Sequence, residues 1–442
     1  MKENIELRPA RTWAWRAGMS AYRFSINTFF RVGGLSWLKR KYREGIDERM
    51  GNFSGSVIPR DGIWVHAVSV GEVQSASALI KKMKEDCSRP CVLSTVTPTG
   101  RKMAQQILEG TVERMIYSPW DTPRFITSAL DAIRPAAYIS METELWPEIL
   151  SQLRERRIPT FLANGRISEA SFKRLRRQTS FWRGVLSCFT RLFVRFDEDR
   201  DHFLALGVPP EKITVTGDCK VDTLLDRRRT TSPETWGHLR RGEGTPLFVA
   251  GSTHPGEDDA IIAAFRRVHQ VHPDARLVIV PRHPERALMV VAAALPYPDL
   301  QAELLSRLSS SGAQAENWDI AVVDRIGVLF DLYAAADAAF VGGSLVLKGG
   351  QNPFEPTLFG IPMTHGPCMT DFPDTERMDR MGAARCIHND MELAQAWEEA
   401  LTPAAREKAR TACQAYFDTL GGAARRTWEV IREYVKQDDQ CA

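Results

Sequence analysis

Ile63-Trp64-Val65-His66-Ala67-Val68-Ser69-Val70-Gly71-Glu72 is a short apolar run that breaks at a serine and a glycine and passes into a helical pattern, Val73 through Lys84. Strand, Gly-containing loop and helix in succession form one α/β unit of a parallel sheet. The same alternation recurs outward from this stretch. In the first half the predicted strands are Ile63–Val68, Cys91–Ser94, Met115–Tyr117, Ala136–Ile139, Thr160–Ala163, Leu192–Val194 and Ile213–Thr216. Asp226–Thr245 is rich in Arg, Gly, Ser and Thr and holds no apolar strand, which marks an interdomain linker. A second series follows with Leu247–Ala250, Arg276–Val280, Ile320–Val323, Ala338–Val341 and Ile361–Met363, and Pro403 to Lys436 reads as helix throughout. No internal repeat or low-complexity tract interrupts the pattern. The expectation is an α/β protein of two Rossmann-like domains, 51–235 and 236–442, preceded by a separate segment, 1–50.

The chain has 442 residues, 58 Lys+Arg against 55 Asp+Glu, and 43% hydrophobic residues. That length and balance predict two or three globular domains and exclude wholesale disorder. A net charge of +3 gives no reason to expect a nucleic-acid binder. The eight cysteines include no C-x-x-C pair, which argues against a structural zinc site and a disulfide scaffold and for a reducing compartment. No run of about 18 apolar residues is present to span a bilayer. The charge is concentrated, however. Residues 1–43 carry ten Lys/Arg against two Glu, with Arg16, Arg23 and Arg31 interrupting a series of aromatics. Such a segment suits the surface of an anionic membrane rather than its interior, and it lacks the apolar core of a signal peptide. A second block, Arg154–Arg195, has eleven Lys/Arg against two Glu. Two such blocks in one half point to phospholipid headgroups or a phosphorylated lipid as partner.

Parallel sheets bind ligands where the carboxyl ends of their strands open into loops. Glu72 follows the first strand at the start of a helix; it either complements the positive helix end or acts as a general base kept ionised there. Glu142 and Glu144 lie two apart beyond the fourth strand and share a face at strand-like geometry. One would cap a helix or pair with a base, and the other would hold an acceptor or stabilise a transition state. Asn352-Pro353-Phe354-Glu355 reads equally as a capping box and as a phosphate or ribose site entered through two diglycines. Arg282, directly after a strand, is placed to fork onto a phosphate or carboxylate. Lys220 is placed to neutralise charge on a donor or leaving group. His254, His283 and His365 are too dispersed for a metal centre, and Asp197-Glu198-Asp199 fits the acidic first turn of a helix. No metal is expected.

Ile63 through Glu72, Met141-Glu142-Thr143-Glu144-Leu145-Trp146-Pro147, Pro281-Arg282-His283-Pro284-Glu285-Arg286 and Gly349-Gly350-Gln351-Asn352-Pro353-Phe354-Glu355 together resemble the 3-deoxy-D-manno-octulosonic acid (Kdo) transferases of lipopolysaccharide biosynthesis. The resemblance implies a GT-B glycosyltransferase, with a cleft between an acceptor-binding N-terminal domain and a C-terminal domain that binds CMP-Kdo. It implies inverting transfer of Kdo to a lipid A precursor, without metal or cofactor, at the cytoplasmic face of the bacterial inner membrane. On the matching positions, Glu72 corresponds to the general base, and Glu142 and Lys220 to transition-state stabilisers. Pro281-Arg282, Ile326-Gly327-Val328 and Asn352 through Glu355 correspond to CMP-binding segments. The chain departs from the family at Gly217-Asp218-Cys219-Lys220, where Gly-Asn-Leu-Lys is usual. It also departs at the N-terminus, where an arginine-interrupted segment replaces an apolar anchor and implies peripheral attachment. Two rival readings are another GT-B nucleotide-sugar transferase or epimerase acting on a soluble sugar, and a non-catalytic periplasmic binding protein.

Overall fold

A computed structural model describes residues 13–34, 36–38, 42–53, 57–310 and 317–435. Met1–Arg11, Lys436 and Cys441, all invoked above, lie outside the described residues, as do Leu35 and Lys39 to Lys41. The chain divides into two compact units, one running through Thr223 and resuming at Leu420, the other Leu224–Thr419.

The first unit is built on seven parallel strands: β1 (Ile63–His66), β2 (Cys91–Thr95), β3 (Arg114–Tyr117), β4 (Ala137–Met141), β5 (Thr160–Gly165), β6 (Arg191–Val194) and β7 (Ile213–Val215). Their spatial order is β3-β2-β1-β4-β5-β6-β7. The second unit repeats the plan with β8 (Leu247–Thr253), β9 (Arg276–Pro281), β10 (Ala302–Leu304), β11 (Ile320–Val322), β12 (Ala338–Val341), β13 (Met363–His365) and β14 (Arg385–Cys386), ordered β10-β11-β9-β8-β12-β13-β14. Helices cover both faces of each sheet, so central strands are apolar without interruption rather than alternating. In the first sheet Trp64, Tyr138 and Leu162 pack on one face, and Ile63, Val65, Ile139 and Phe161 on the other. Register is fixed by burial: a slip of one residue between β1 and β4, which pair His66 with Ser140, would exchange those two sets.

Several expectations need correction. The division falls at Thr223/Leu224, not 235/236, because the helix Cys219–Arg229 runs across the boundary. The terminal helical stretch is two helices, Pro403–Leu420 and Ala423–Val435, broken at Gly421-Gly422. The break has a cause: Asp222 accepts from the backbone N–H groups of Gly422 and Ala424, which starts a new helix there. That last helix belongs to the first unit, where Trp428, Ile431 and Val435 pack against Val73, Leu79 and Met83. β13 lies two residues later than expected, and the edge strands β10 and β14 were not anticipated.

The N-terminal segment also differs from expectation. The helix Trp13–Phe29 is docked on the first unit rather than free. Trp15 stacks on Phe181 at 5.8 Å, and any side chain on Gly184 or Gly18 would collide with Trp15 or Phe181. Arg23, expected on a lipid-facing polar surface, turns inward: its Nε and Nη2 meet the buried Glu148 at 2.7 and 3.1 Å. Tyr22 donates to the buried Asp121 at 2.7 Å. Arg16 and Arg31 remain exposed, together with Trp13, Phe24 and Val32. Among the described residues no helix is long and apolar enough to cross a membrane.

Candidate functional site

In the first sheet the strand order reverses between β1 and β4, and such a switch point is where parallel sheets place their ligands. Glu72 projects from the first turn of the helix that follows β1, Val70–Asp86. Its Oε2 accepts from the Val68 N–H at 2.9 Å and its Oε1 from the Ser69 hydroxyl at 3.0 Å. The carboxyl is 7% exposed, and burial pushes its pKa up to about 7. The Val68 N–H opposes the rise, while Glu144 and Glu142 add to it. The expected effect of the helix terminus, an acid held firmly ionised, is thus outweighed by desolvation.

Glu142 follows β4. The chain leaves strand geometry at Met141, and Glu142 takes a φ of 54°, so Glu142 and Glu144 do not form the pair on one face that strand spacing predicts. Their partners diverge accordingly. Glu142 receives Lys220 Nζ on Oε1 at 2.8 Å and Arg166 Nε on Oε2 at 3.0 Å. Glu144 accepts from the Trp146 indole at 2.8 Å, and its pKa is raised by burial. Lys220 lies in the first turn of the helix Cys219–Arg229, which is fixed by Asn164: its Oδ1 accepts from the Cys219 N–H at 2.8 Å. The Lys220 ammonium lies 3.7 Å from where a Cβ on Gly71 would stand. Glu72, Glu142 and Lys220 therefore converge within one unit. A carboxyl that titrates near neutrality can accept a proton, and two cations on one carboxylate leave a net positive charge beside it.

The second unit gathers the remaining candidates along the carboxyl edge of its own sheet. Pro281 ends β9, and the Arg282 N–H donates to Thr253 O at 3.0 Å; the Arg282 side chain is exposed and makes no ion pair among the described residues. Ile326-Gly327-Val328 follows β11 and leads into the helix Leu329–Ala335, with Gly327 at a φ of 92° and Ile326 exposed. Asn352 through Glu355 follow β12. Asn352 Oδ1 caps the Phe354 N–H at 3.0 Å, while its Nδ2 donates to Glu355 Oε1 at 3.3 Å. The capping box therefore closes between side chains, and the helix begins at Phe354 with Pro353 buried ahead of it. Burial raises the Glu355 pKa against the charge of Arg227. His254 ties these loops together: its ring stands perpendicular to His283 at 6.2 Å and meets the Gln351 amide at 3.3 Å.

The first diglycine is occupied from within. Glu257, fully buried, accepts from the N–H groups of Gly343, Ser344 and Leu345 at 2.7 to 3.0 Å and from His254 N–H at 2.8 Å. The expectation that both diglycines lead to an anion fails at Gly342-Gly343, whose loop already holds a carboxylate. Sequence reading also passed over Arg166. The available signal was a loop cation beside Gly165, obscured because Arg166 sits inside the basic block read as membrane-facing. That block is divided in the structure: Arg156 pairs with Asp131 and Arg195 with Asp218, while Arg174, Arg176 and Arg177 are exposed. Among the described residues no three His, Cys, Asp or Glu side chains are grouped as metal ligands.

Residues 44–223 match the family model described as 3-deoxy-D-manno-octulosonic-acid transferase. The chain is 32% identical over 412 residues to the 3-deoxy-D-manno-octulosonic acid transferase of Haemophilus influenzae, covering 92% of this chain and 95% of that protein. It is 30% identical to the transferase of the same name from Bordetella pertussis, over 84% and 87% of the two chains. Among solved structures, UDP-GlcNAc 2-epimerase from Neisseria meningitidis superposes with a TM-score of 0.60 at 12% identity, over 84% of this chain and all of that one. A glycosyltransferase from Rickettsia africae gives 0.53 at 12% identity, over 86% of this chain. These likenesses are to the GT-B architecture of two Rossmann-like domains. With the relatives matched over nearly their whole length, the chain belongs to the Kdo transferase family and is a glycosyltransferase.

Proposed function

We propose that the protein transfers Kdo from CMP-Kdo to a lipid A precursor with inversion at the anomeric carbon. The observation that carries this reading is the convergence of Glu72, Glu142 and Lys220 at the switch point of the first sheet. Glu72 takes the proton of a glucosamine hydroxyl, whose oxygen forms the new bond to the anomeric carbon of Kdo. The bond from that carbon to the CMP phosphate oxygen breaks, and CMP leaves with the electron pair. A base with a pKa near 7 is matched to this task, because it is substantially ionised at working pH yet still a competent proton acceptor. Lys220 and Arg166, both partly exposed, offer charge stabilisation around the buried carboxylate of Glu142.

CMP is assigned to the second unit, to Pro281-Arg282, Ile326 through Val328 and Asn352 through Glu355, with the exposed Arg282 on the phosphate. No metal or cofactor is assigned; Asp199, the one acid of Asp197-Glu198-Asp199 that is buried, is engaged by the Ile167 N–H instead. The exposed aromatic and basic residues of the N-terminal helix support peripheral attachment to an anionic membrane, at the cytoplasmic face where a nucleotide-activated sugar is supplied. Mass spectrometry of the product formed from CMP-Kdo and a tetraacylated lipid A precursor, with EDTA present and absent, tests the reading. A Kdo adduct formed equally in both is expected. Turnover of a UDP-sugar with no use of CMP-Kdo would favour the soluble-sugar alternative.

A further inference from the structure

Two loops supply the cations on Glu142: Arg166 follows β5 and Lys220 follows β7. Neither loop is held by β6, the strand between them, through its regular ladder alone. Arg195, the first residue after β6, is only 14% exposed in its side chain and reaches both. Its backbone N–H donates to Gly165 O at 3.2 Å, next to Arg166. Its Nη1 meets Asp218 Oδ2 at 3.2 Å, and Asp218 Oδ1 accepts from the N–H of Lys220 itself at 2.8 Å. Its Nε faces Asp199 Oδ2 at 3.7 Å, and Asp199 Oδ1 accepts from the Ile167 N–H at 3.0 Å, the residue after Arg166. One largely buried guanidinium thus stands between two buried carboxylates, hydrogen-bonded to Asp218 and in charge contact with Asp199, and each carboxylate grips the backbone of a different loop.

We propose that Arg195 is a positioning residue that seats Lys220 and Arg166 on Glu142 through Asp218 and Asp199, and so sets the charge that Glu142 presents to Glu72. The proposal rests on reading Glu72 as the general base. A buried ion triad is weak evidence for added stability, and registry is the better-attested use of such groups. Among the described residues, the charges that act on Glu72 are those of Glu144 and Glu142 from the loop after β4, and the Val68 N–H and Ser69 hydroxyl bond its carboxyl; Lys220, from the helix after β7, stands beside the neighbouring Gly71. If Lys220 and Arg166 lose their seats, Glu142 acts on Glu72 as an uncompensated like charge and makes Glu72 harder to ionise.

The test is steady-state kinetics of the full-length protein across pH, with CMP-Kdo and a lipid A precursor, for Arg195→Met, Arg195→Lys, Asp218→Asn and Glu72→Gln. Arg195→Met should lower kcat about 10- to 100-fold, as misplacement of a catalytic group by around 1 Å does. The KM for CMP-Kdo should be unchanged, and the acidic limb of the kcat profile should move up by about one pH unit. Arg195→Lys should recover part of kcat and of the limb, since a point charge reaches one carboxylate but not both. Where Arg195→Met does not fold, Asp218→Asn carries the same expectation with the guanidinium in place. A wild-type kcat and limb in the folded variants overturns the proposal, and so does a fall in kcat with the limb unmoved, which is the mark of general loosening. Turnover retained by Glu72→Gln would overturn the base assignment instead, a result separable from the Arg195 outcome.

Discussion

Glu72 stands in the first turn of its helix and yet holds its proton to about pH 7, because two hydrogen bonds do not replace the water lost on burial. Its folded pKa is raised above the unfolded value of 4.5, so its contribution to stability is complete below pH 4.5 and is lost as pH rises through 7. The loss is on the order of 3 kcal/mol. Glu72→Gln should therefore abolish most transfer, by about 10²–10⁴ in rate, while making the protein more stable than wild type at pH 8 but not at pH 4. Activity assays and denaturant unfolding at both pH values check this; normal turnover would return Glu72 to the role of a helix cap. In the second unit, Asn352→Ala removes both a cap and a proposed nucleotide contact. A CMP affinity lowered together with a stability loss of about 1 kcal/mol is expected, and Glu355→Ala should lower affinity with a smaller change in unfolding midpoint. Calorimetric titration separates the two effects, and an unchanged affinity would leave only the cap. The position of Glu72 after its strand was legible in the sequence; its pKa was not, since that depends first on how deeply the fold buries the carboxyl and then on Glu144 and Glu142 arriving from a distant loop. Glu257 was illegible for the same reason: its carboxylate serves N–H groups more than 80 residues away.

At the scale of elements, the N-terminal helix reads from sequence as an amphipathic segment with three arginines to spare. The structure spends one of them on packing. Arg23 neutralises Glu148, which is 1% exposed in its side chain, and Glu148 also accepts from Gln152 at 2.9 Å. Arg23→Met should cost about 2 kcal/mol, less than removal of a partner from a wholly buried pair, because the guanidinium keeps contact with water. Thermal unfolding checks it, and a change within about 0.5 kcal/mol would mean that the aromatic contacts hold the helix unaided. Binding to phosphatidylglycerol vesicles should fall as salt rises, since the exposed basic residues act through a screened field. Sedimentation of vesicles across a salt series measures this; if only detergent released the protein at every salt concentration, the segment would be an integral anchor. The arginine spacing was visible in the sequence, but not that Arg23 has a buried partner 125 residues on. The edge strands β10 and β14 escaped for a related reason. Three residues including Glu303, and two including Arg385, carry too little apolar character to stand out, and pairing with β11 and β13 respectively is what makes them strands.

For the whole molecule, the alternation of strands and helices was enough to fix two parallel-sheet units, but not where one ends. Apolar residues on Ala423–Val435 announce a buried helix without saying which core buries it. The answer lies in packing: Trp428, Ile431 and Val435 complete the layer begun by Val73 and Leu79. Trp428→Ala should therefore destabilise the first unit by about 3–5 kcal/mol while sparing CMP binding by the second. Domain-resolved hydrogen exchange checks this, and protection lost in the second unit instead would contradict the assignment. The returning helix also orders events during synthesis. All seven strands of the first sheet leave the ribosome before any of the second, yet their core stays open on one face until residues 423–435 emerge. The second unit, which lies wholly between those two parts, is able to close first. The nascent first unit must keep an apolar layer shielded for the time needed to translate about 200 residues, about 10–40 s at ordinary rates of synthesis. Chaperone demand should thus fall on the earliest part of the chain to be made.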